Sequence, residues 1–451
     1  MNDTICAIST ALGTGAISII RVSGEDAIKI VNKIFIGKNL ESVPTHTINY
    51  GKIHDKKINI DEVLISVMRA PKTFTTEDVV EINCHGGIAP TNKILELLIL
   101  NGCRLAEPGE FTKRAFLNGR IDLVEAEGIS DMIIAKTEEA RKLAISQIDG
   151  NLSKMIKIVR QEIVEIMANI EVNIDYPEYE DAEDITQSKL KLKLESVIGN
   201  LNKILQTAAD GKILKEGINI ALIGRPNVGK SSILNALLEE EKAIVTDIAG
   251  TTRDIVEGQI TLNGIVLNII DTAGIRETTD IIEKIGVNKS KKIIENVDLI
   301  IIVLNNNEKL SEEDDELLKK IKSKKHLVFI NKDDLDSKLN HQSLENLNYI
   351  FGNTIRKDGL TELKNEITKM FNLEKIQTKD YTYLTNARQI ALVKQAINYF
   401  EQANNDCDES IPVDMIAIDI KNGWDTLGEI IGETYKDELL DELFSNFCLG
   451  K

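Results

Sequence analysis

Between residues 1 and 119 the apolar positions fall into short runs. Residues 17–22, 47–53, 62–69 and 78–83 are rich in β-branched and apolar side chains, and helix-period stretches lie near 25–35 and 89–100, so this segment reads as mixed α and β. From 120 to 214 the period lengthens. Val124, Ile129, Met132, Ile133, Ala140, Leu143 and Ala144, then Ile156, Ile163, Ile166 and Ile170, recur at the three- and four-residue steps of long helices. An acidic stretch at 174–184 interrupts them, and a further helix is expected over about 186–209. Short buried strands at 218–223, 267–270, 299–304 and 327–330 then alternate with helical stretches at 232–238 and 360–370, which predicts a doubly wound parallel sheet. Residues 387–403 and 426–447 return to helical spacing, and Leu427, Ile430, Ile431, Leu439, Leu440, Leu443, Phe444 and Phe447 share one apolar face. The simplest organisation is multidomain, α+β and α/β: a mixed domain at 1–119, a helical domain in two parts at 120–215 and 374–451, and a nucleotide-binding domain inserted at 216–373.

Composition narrows this picture. A chain of 451 residues is too long for one core and suits two to four domains. Its net charge of −18 argues against wrapping nucleic acid by counterion release alone, so an RNA contact must be local or shared with a partner. Residues 1–119 hold 13 Lys+Arg and 13 Asp+Glu, which places the whole acidic excess downstream. No apolar run reaches the roughly 18 residues of a membrane span, the N-terminus has no export pattern, and Cys6, Cys84, Cys103, Cys407 and Cys448 form neither a zinc nor a redox motif. A cytoplasmic protein with reduced thiols is expected.

The chemistry begins at Gly224-Arg225-Pro226-Asn227-Val228-Gly229-Lys230-Ser231-Ser232. A buried strand, a Gly-bounded turn ending in Lys-Ser and a following helix are the context a P-loop requires. Its backbone N–H groups can surround phosphate oxygens, Lys230 can reach the outer phosphates, and Ser231 is a candidate magnesium ligand. Downstream, Thr246-Asp247-Ile248-Ala249-Gly250-Thr251-Thr252-Arg253-Asp254 is rich in hydroxyl and carbonyl oxygens, with Thr252 the candidate second magnesium contact. In Asp271-Thr272-Ala273-Gly274, Asp271 can hold magnesium through water and the Gly274 N–H can sense the γ-phosphate. In Asn331-Lys332-Asp333-Asp334, the Asp334 carboxylate can accept from both N–H groups of guanine's Watson–Crick edge. Adenine leaves such a carboxylate unpaired, a difference of roughly 10⁴ in discrimination, so the base should be guanine.

The position after Gly274 reads Ile275-Arg276-Glu277, without the Gln that orients water in Ras-type enzymes. Glu283, beyond Thr278-Thr279-Asp280, is a candidate for that task; its alternative is an exposed acid at a helix start. Glu81, at the end of a strand and ahead of the Gly86-Gly87 pair, is equally open to a pocket rim or a solvated strand end.

These motifs, with residues 108–120 (Pro-Gly-Glu-Phe-Thr-Lys-Arg-Ala-Phe-Leu-Asn-Gly-Arg) and the terminal Phe447-Cys448-Leu449-Gly450-Lys451, resemble the MnmE (TrmE) family of tRNA-modifying GTPases over essentially the whole chain. The resemblance implies an N-terminal β-rich folate-binding domain, similar to aminomethyltransferases, that makes a homodimer, a discontinuous helical domain, and an inserted P-loop GTPase domain. It implies that Asn227, Thr246, Ile248 and Thr251 coordinate potassium and that Glu283 orients water. It assigns Arg21, Glu81, Arg120 and Lys451 to formyl-tetrahydrofolate and sets Cys448, a catalytic candidate, near its one-carbon unit. The implied activity, with GTP, magnesium and potassium, forms aminomethyl or carboxymethylaminomethyl groups at C5 of the wobble uridine of tRNA. The flavin protein MnmG would bring FAD in a heterotetramer. Two rival readings are a regulatory or assembly GTPase without folate chemistry and a folate-binding transferase with a vestigial GTPase domain. The chain departs from the family pattern at Ala11-Leu12-Gly13-Thr14-Gly15, at Asn353-Thr354-Ile355 where Ser-Ala-Lys is usual, and at Arg120, often Lys.

Overall fold

A computed structural model describes residues 3–175, 187–240, 258–271, 297–320, 324–340, 344, 347–356, 358–376, 382–409, 411–435 and 437–450. The chain forms two compact units, one of residues 1–133, 147–202 and 391–451, the other of residues 134–146 and 203–390.

The first unit contains a seven-stranded sheet. Its strands are β1 Ile5–Ile8, β2 Ile17–Ser23, β3 Phe35–Ile36, β4 Thr47–Asp55, β5 Ile58–Met68, β6 Val79–His85 and β7 Arg104–Leu105. They lie in the order β3-β4-β5-β6-β2-β1-β7, antiparallel except for the β1–β7 pair. Alternation decides what each face does. Val80, Ile82 and Cys84 of β6, with Ile20 and Val22 of β2 and Val63, Ile65 and Val67 of β5, point into a core with the helices Ala27–Ile34 and Ile88–Leu100. The opposite face carries Glu81, Asn83 and His85, and leaves Ile17, Ile48, Tyr50 and Leu64 exposed. In register, Tyr50 faces Leu64, Leu64 faces Asn83, and Arg21 faces Glu81.

Beside this sheet, Arg114 is only 1% exposed and is held by Glu77, Asp3 and Glu110. Arg104 also binds Glu110, at 2.5 and 3.0 Å, and Asp3 at 2.6 Å. The hydrogen bond from Arg104 holds the Asp3 carboxyl below its ordinary range. Burial pushes the Glu110 carboxyl up, but Arg104 and the Glu107 N–H together outweigh it, and the net displacement is downward.

Helices fill the rest of this unit. The long helix Asn151–Asp175 buries Leu152, Ile156, Val159, Ile163, Ile166 and Ile170, and Arg160 stacks its guanidinium over Trp424 at 4.1 Å. The spacing predicts one helix over 426–447, whereas there are two, Val413–Ile431 and Asp437–Ser445. Gly432 separates them in the left-handed region at φ 77°, where an added Cβ would lie 2.6 Å from the Phe116 ring. Leu440 and Phe444 then pack on Phe116, Leu123 and Ala126.

The second unit is built on a six-stranded sheet. β8 Ile218–Ile223, β9 Gly258–Leu262, β10 Ile265–Asp271, β11 Leu299–Asn305, β12 His326–Asn331 and β13 Tyr349–Phe351 lie in the order β13-β12-β11-β8-β10-β9. All pairs are parallel except β9–β10, a hairpin turned by Asn263 and Gly264, both at positive φ. Both faces are buried. Leu299, Ile301 and Val303 enter one core, and Ile300, Ile302 and Leu304 enter the other, which is why the strand reads as continuously apolar. Strand order reverses between β8 and β11, the place where doubly wound sheets bind ligands. No described helix is long and apolar enough to cross a membrane.

Candidate functional site

At the C-terminal end of β8 the chain turns through residues 224–229 into the helix Lys230–Glu240. Two residues of the turn adopt positive φ, Asn227 at 65° and Gly229 at 103°. A side chain at Gly229 would place its Cβ 2.2 Å from the Asn331 amide nitrogen, so only glycine allows β12 to approach so closely. Asn331 uses that approach to donate to the Val228 carbonyl at 2.8 Å. Lys230 is buried, and its Nζ donates to the carbonyls of Gly224 and Arg225 at 2.9 and 2.8 Å. Ser231 and Ser232 lie exposed in the first helical turn, beside the amide ends that favour an anion.

The side expected from the sequence to meet the base is the end of β12. Lys332, at φ 63°, turns the chain and its Nζ donates to the Asn227 carbonyl at 3.3 Å. Asp334 is exposed. Asp271 ends β10 opposite Leu222 in the parallel pair with β8, which brings its backbone to the same edge as the turn. The structure therefore gathers Asn227 to Ser232, Asp271, Asn331, Lys332 and Asp334 on one edge of the sheet. Thr246, Asp247, Ile248, Ala249, Gly250, Thr251, Thr252, Thr272, Ala273, Gly274 and Glu283 lie outside the described residues.

The sequence reading missed what braces this turn. Arg225 Nε contacts both oxygens of Asp314 at 3.0 and 2.9 Å, and its Nη2 reaches Glu308 at 3.1 Å. Asp314, 1% exposed, also accepts from the N–H and hydroxyl of Ser311 at the start of the helix Glu312–Lys320. The only local signal was Ser311-x-x-Asp314, a helix-start pattern that says nothing of Arg225.

A second constellation lies in the first unit. Arg21 donates to Glu81 at 2.9 Å from Nε, and its Nη2 lies 2.8 Å from the same oxygen. Its Nη1 donates to the Gly450 carbonyl at 3.2 Å, and the Ser9 hydroxyl donates to that carbonyl at 2.9 Å. The C-terminal segment is thus laid against β2. It gets there past Gly109, whose N–H donates to the Cys448 carbonyl at 3.2 Å and whose Cβ, if present, would lie 2.6 Å from the Phe444 carbonyl. Cys448 is exposed. Arg120 stands apart from the Arg21–Glu81 pair in its bonding: it donates to the Thr73 carbonyl at 2.6 Å and lies over the Phe74 ring. Lys451 lies outside the described residues. The loop at 11–15 lines a cleft of about 180 Å³ with Gly86, Gly87 and Ile88, closed by hydrogen bonds between Gly15 and Gly86 and between Gly86 and Ala16. Among the described residues no cluster of three or more His, Cys, Asp or Glu forms a metal site.

A doubly wound sheet with a P-loop at its switch point and an Asn-Lys-x-Asp run at the end of β12, two strands away from β8, defines a GTP hydrolase of the P-loop class. The match to known proteins is more particular. A family model described as the GTP-binding protein TrmE N-terminus covers residues 4–120, and one described as the MnmE helical domain covers residues 123–448. The tRNA modification GTPase MnmE of Ligilactobacillus salivarius (strain UCC118) is 54% identical over 455 residues, covering 100% of this chain and 98% of that protein. Those of Bacillus cytotoxicus and Lactococcus lactis subsp. cremoris (strain MG1363) are each 53% identical, over 455 and 449 residues, with 99% and 98% of their lengths covered. The chain belongs to the MnmE (TrmE) family of tRNA modification GTPases.

Proposed function

We propose that this chain is a potassium-dependent GTP hydrolase that acts with an FAD protein of the MnmG type. Together they form aminomethyl or carboxymethylaminomethyl groups at C5 of the wobble uridine of tRNA, with a formyl-tetrahydrofolate-type ligand in the N-terminal domain. The observation that carries the reading beyond a generic GTPase is the Arg21–Glu81 pair with the C-terminal segment bound to it. A cation, a carboxylate and the terminal segment meet there at Gly450, two residues after Cys448 and one before Lys451 in sequence.

The donor set suits the ligand. Arg21 offers charge to an anionic group, and Glu81, with one oxygen engaged by Arg21, has a second to accept from pterin N–H groups. When bound, the folate would supply a one-carbon unit; Lys451 and Arg120 are proposed to bind it and Cys448 to stand beside that carbon. At the nucleotide, Ser231 and Thr252 would hold magnesium. The exposed Asn227 side chain, with Thr246, Ile248 and Thr251, provides the neutral oxygens that an alkali cation takes. Potassium there would supply positive charge beside the phosphates, and Glu283 would orient the water.

The exposed apolar side chains on the bare sheet face favour a homodimer through the N-terminal domain. With a net charge of −18, most of the basic surface for tRNA would come from the partner. No membrane contact is needed, and the reading places the chain in the cytoplasm. Mass analysis of wobble nucleosides tests the proposal: cells lacking this chain should lose the C5 aminomethyl-type nucleosides, and Arg21→Ala should not restore them. Unchanged nucleosides in the deletion strain would refute it.

A further inference from the structure

Asn331-Lys332-Asp333-Asp334 presents two adjacent carboxylates with different surroundings. Asp333 is held: Arg356 Nη2 donates to its two oxygens at 2.7 and 2.6 Å, and Asn353 Nδ2 donates to one of them. Asp334 is exposed and has no side-chain partner among the described residues. Asn353 is 1% exposed and organises the loop that brings Arg356 into place. Its Oδ1 accepts the N–H groups of Ile355 and Arg356 at 3.1 and 2.8 Å, while its own N–H donates to Gly359 at 3.2 Å. Gly359 is needed for that closure, since a Cβ there would lie 2.1 Å from the Asn353 carbonyl. The Asp333 N–H in turn donates to Gly352 at 3.3 Å.

We propose that Asp333, Asn353 and Arg356 form a positioning device for base recognition. They replace the usual Ser-Ala-Lys arrangement and leave Asp334 as the one carboxylate of the pair that meets guanine. The inference rests on the reading of Asp334 as guanine's acceptor. Its physical basis is preorganisation. With Asp333 pinned, the peptide that carries Asp334 is ordered before the base arrives, and binding does not bear that entropy. Neutralising Asp333 also keeps a second acidic acceptor from competing for the same N–H groups. Arg356 is 57% exposed, so its pair adds little to global stability, and its effect belongs to recognition.

The test uses the full chain and fluorescent derivatives of GDP and IDP; IDP lacks the exocyclic amine that gives Asp334 its second hydrogen bond. Arg356→Ala and Asp333→Asn should each weaken GDP about tenfold, mainly through faster release, and weaken IDP less, so that the GDP-to-IDP preference shrinks. The loss should fall on KM for GTP more than on kcat, with Arg356→Lys restoring part of it and the unfolding temperature nearly unchanged. An equal loss for both nucleotides, or an intact GDP-to-IDP preference in both variants, overturns the positioning role. Asp334→Ala separates the two levels. If it abolishes the guanine preference while the other variants do not, only the positioning is wrong. If it leaves GDP affinity intact, the base reading itself fails.

Discussion

Arg225 follows the first glycine of the phosphate-binding turn, yet its side chain is spent on Asp314 and Glu308 while its carbonyl orients Lys230. Removing it leaves Asp314, buried and already bound by Ser311, without its cation. Stranding a buried carboxylate costs about 3 kcal/mol, of which part is recovered if water enters. Arg225→Ala should therefore lower the denaturant midpoint of the nucleotide-free chain. It should also weaken GDP more than GMP, given the proposed role of Lys230 at the outer phosphates. Titration of both nucleotides checks this, and equal loss for GDP and GMP would remove Lys230 from the explanation. None of this was legible in the sequence, because the two acids lie 83 and 89 residues away from Arg225. The turn itself was legible, since its two glycines, its lysine and the flanking strand and helix are all local.

Among the elements, β2, β4, β5, β6, β8, β10, β11 and β12 followed from their apolar spacing, as did the helices whose buried positions recur every three or four residues, whereas the short or edge strands β1, β3, β7, β9 and β13 were not read from the sequence. The break at Gly432 did not. A glycine inside a helical pattern is compatible with continuation, and only the neighbours of this one, Phe116 and Leu123, decide otherwise. Gly432→Ala should cost about 1–3 kcal/mol, from a non-glycine residue in the left-handed region and contact with the Phe116 ring. Hydrogen exchange should show it as lost protection in Asp437–Ser445, with the second unit unaffected. The ion cluster around Arg114 was equally invisible, its partners Glu77 and Asp3 lying 37 and 111 residues away. It carries a pH dependence. Asp3 and Glu110 have folded-state pKa values lowered from the ordinary 3.8 and 4.5, so their stabilisation is complete above those ordinary values and is lost as pH falls through the lowered ones. Arg104→Ala removes much of the lowering and should move acid unfolding of the first unit to higher pH, measured by exchange at β1 and β2. An unchanged acid midpoint would show that Arg114 alone sustains both carboxylates.

At the scale of the whole molecule, charge and exposed apolar surface bear on one another. The chain carries −18, a load that opposes self-association, but residues 1–119 hold equal numbers of acids and bases. The bare sheet face lies in that balanced segment. Ile48, Tyr50 and Leu64 are exposed there on neighbouring strands, with Ile17 two strands further on. An apolar face free of net repulsion is where two copies can meet at least cost, and a two-fold contact presents every substitution twice. On the proposed homodimer, Ile48→Lys combined with Leu64→Lys should therefore place four new charges in the contact and halve the mass seen by light scattering. Because both side chains already face solvent within the unit, the substitutions should leave its unfolding temperature nearly unchanged. A dimer that survives the double substitution would place the contact elsewhere. A monomer that still binds formyl-tetrahydrofolate with full affinity would show that Arg21, Glu81 and the terminal segment of a single copy complete that site.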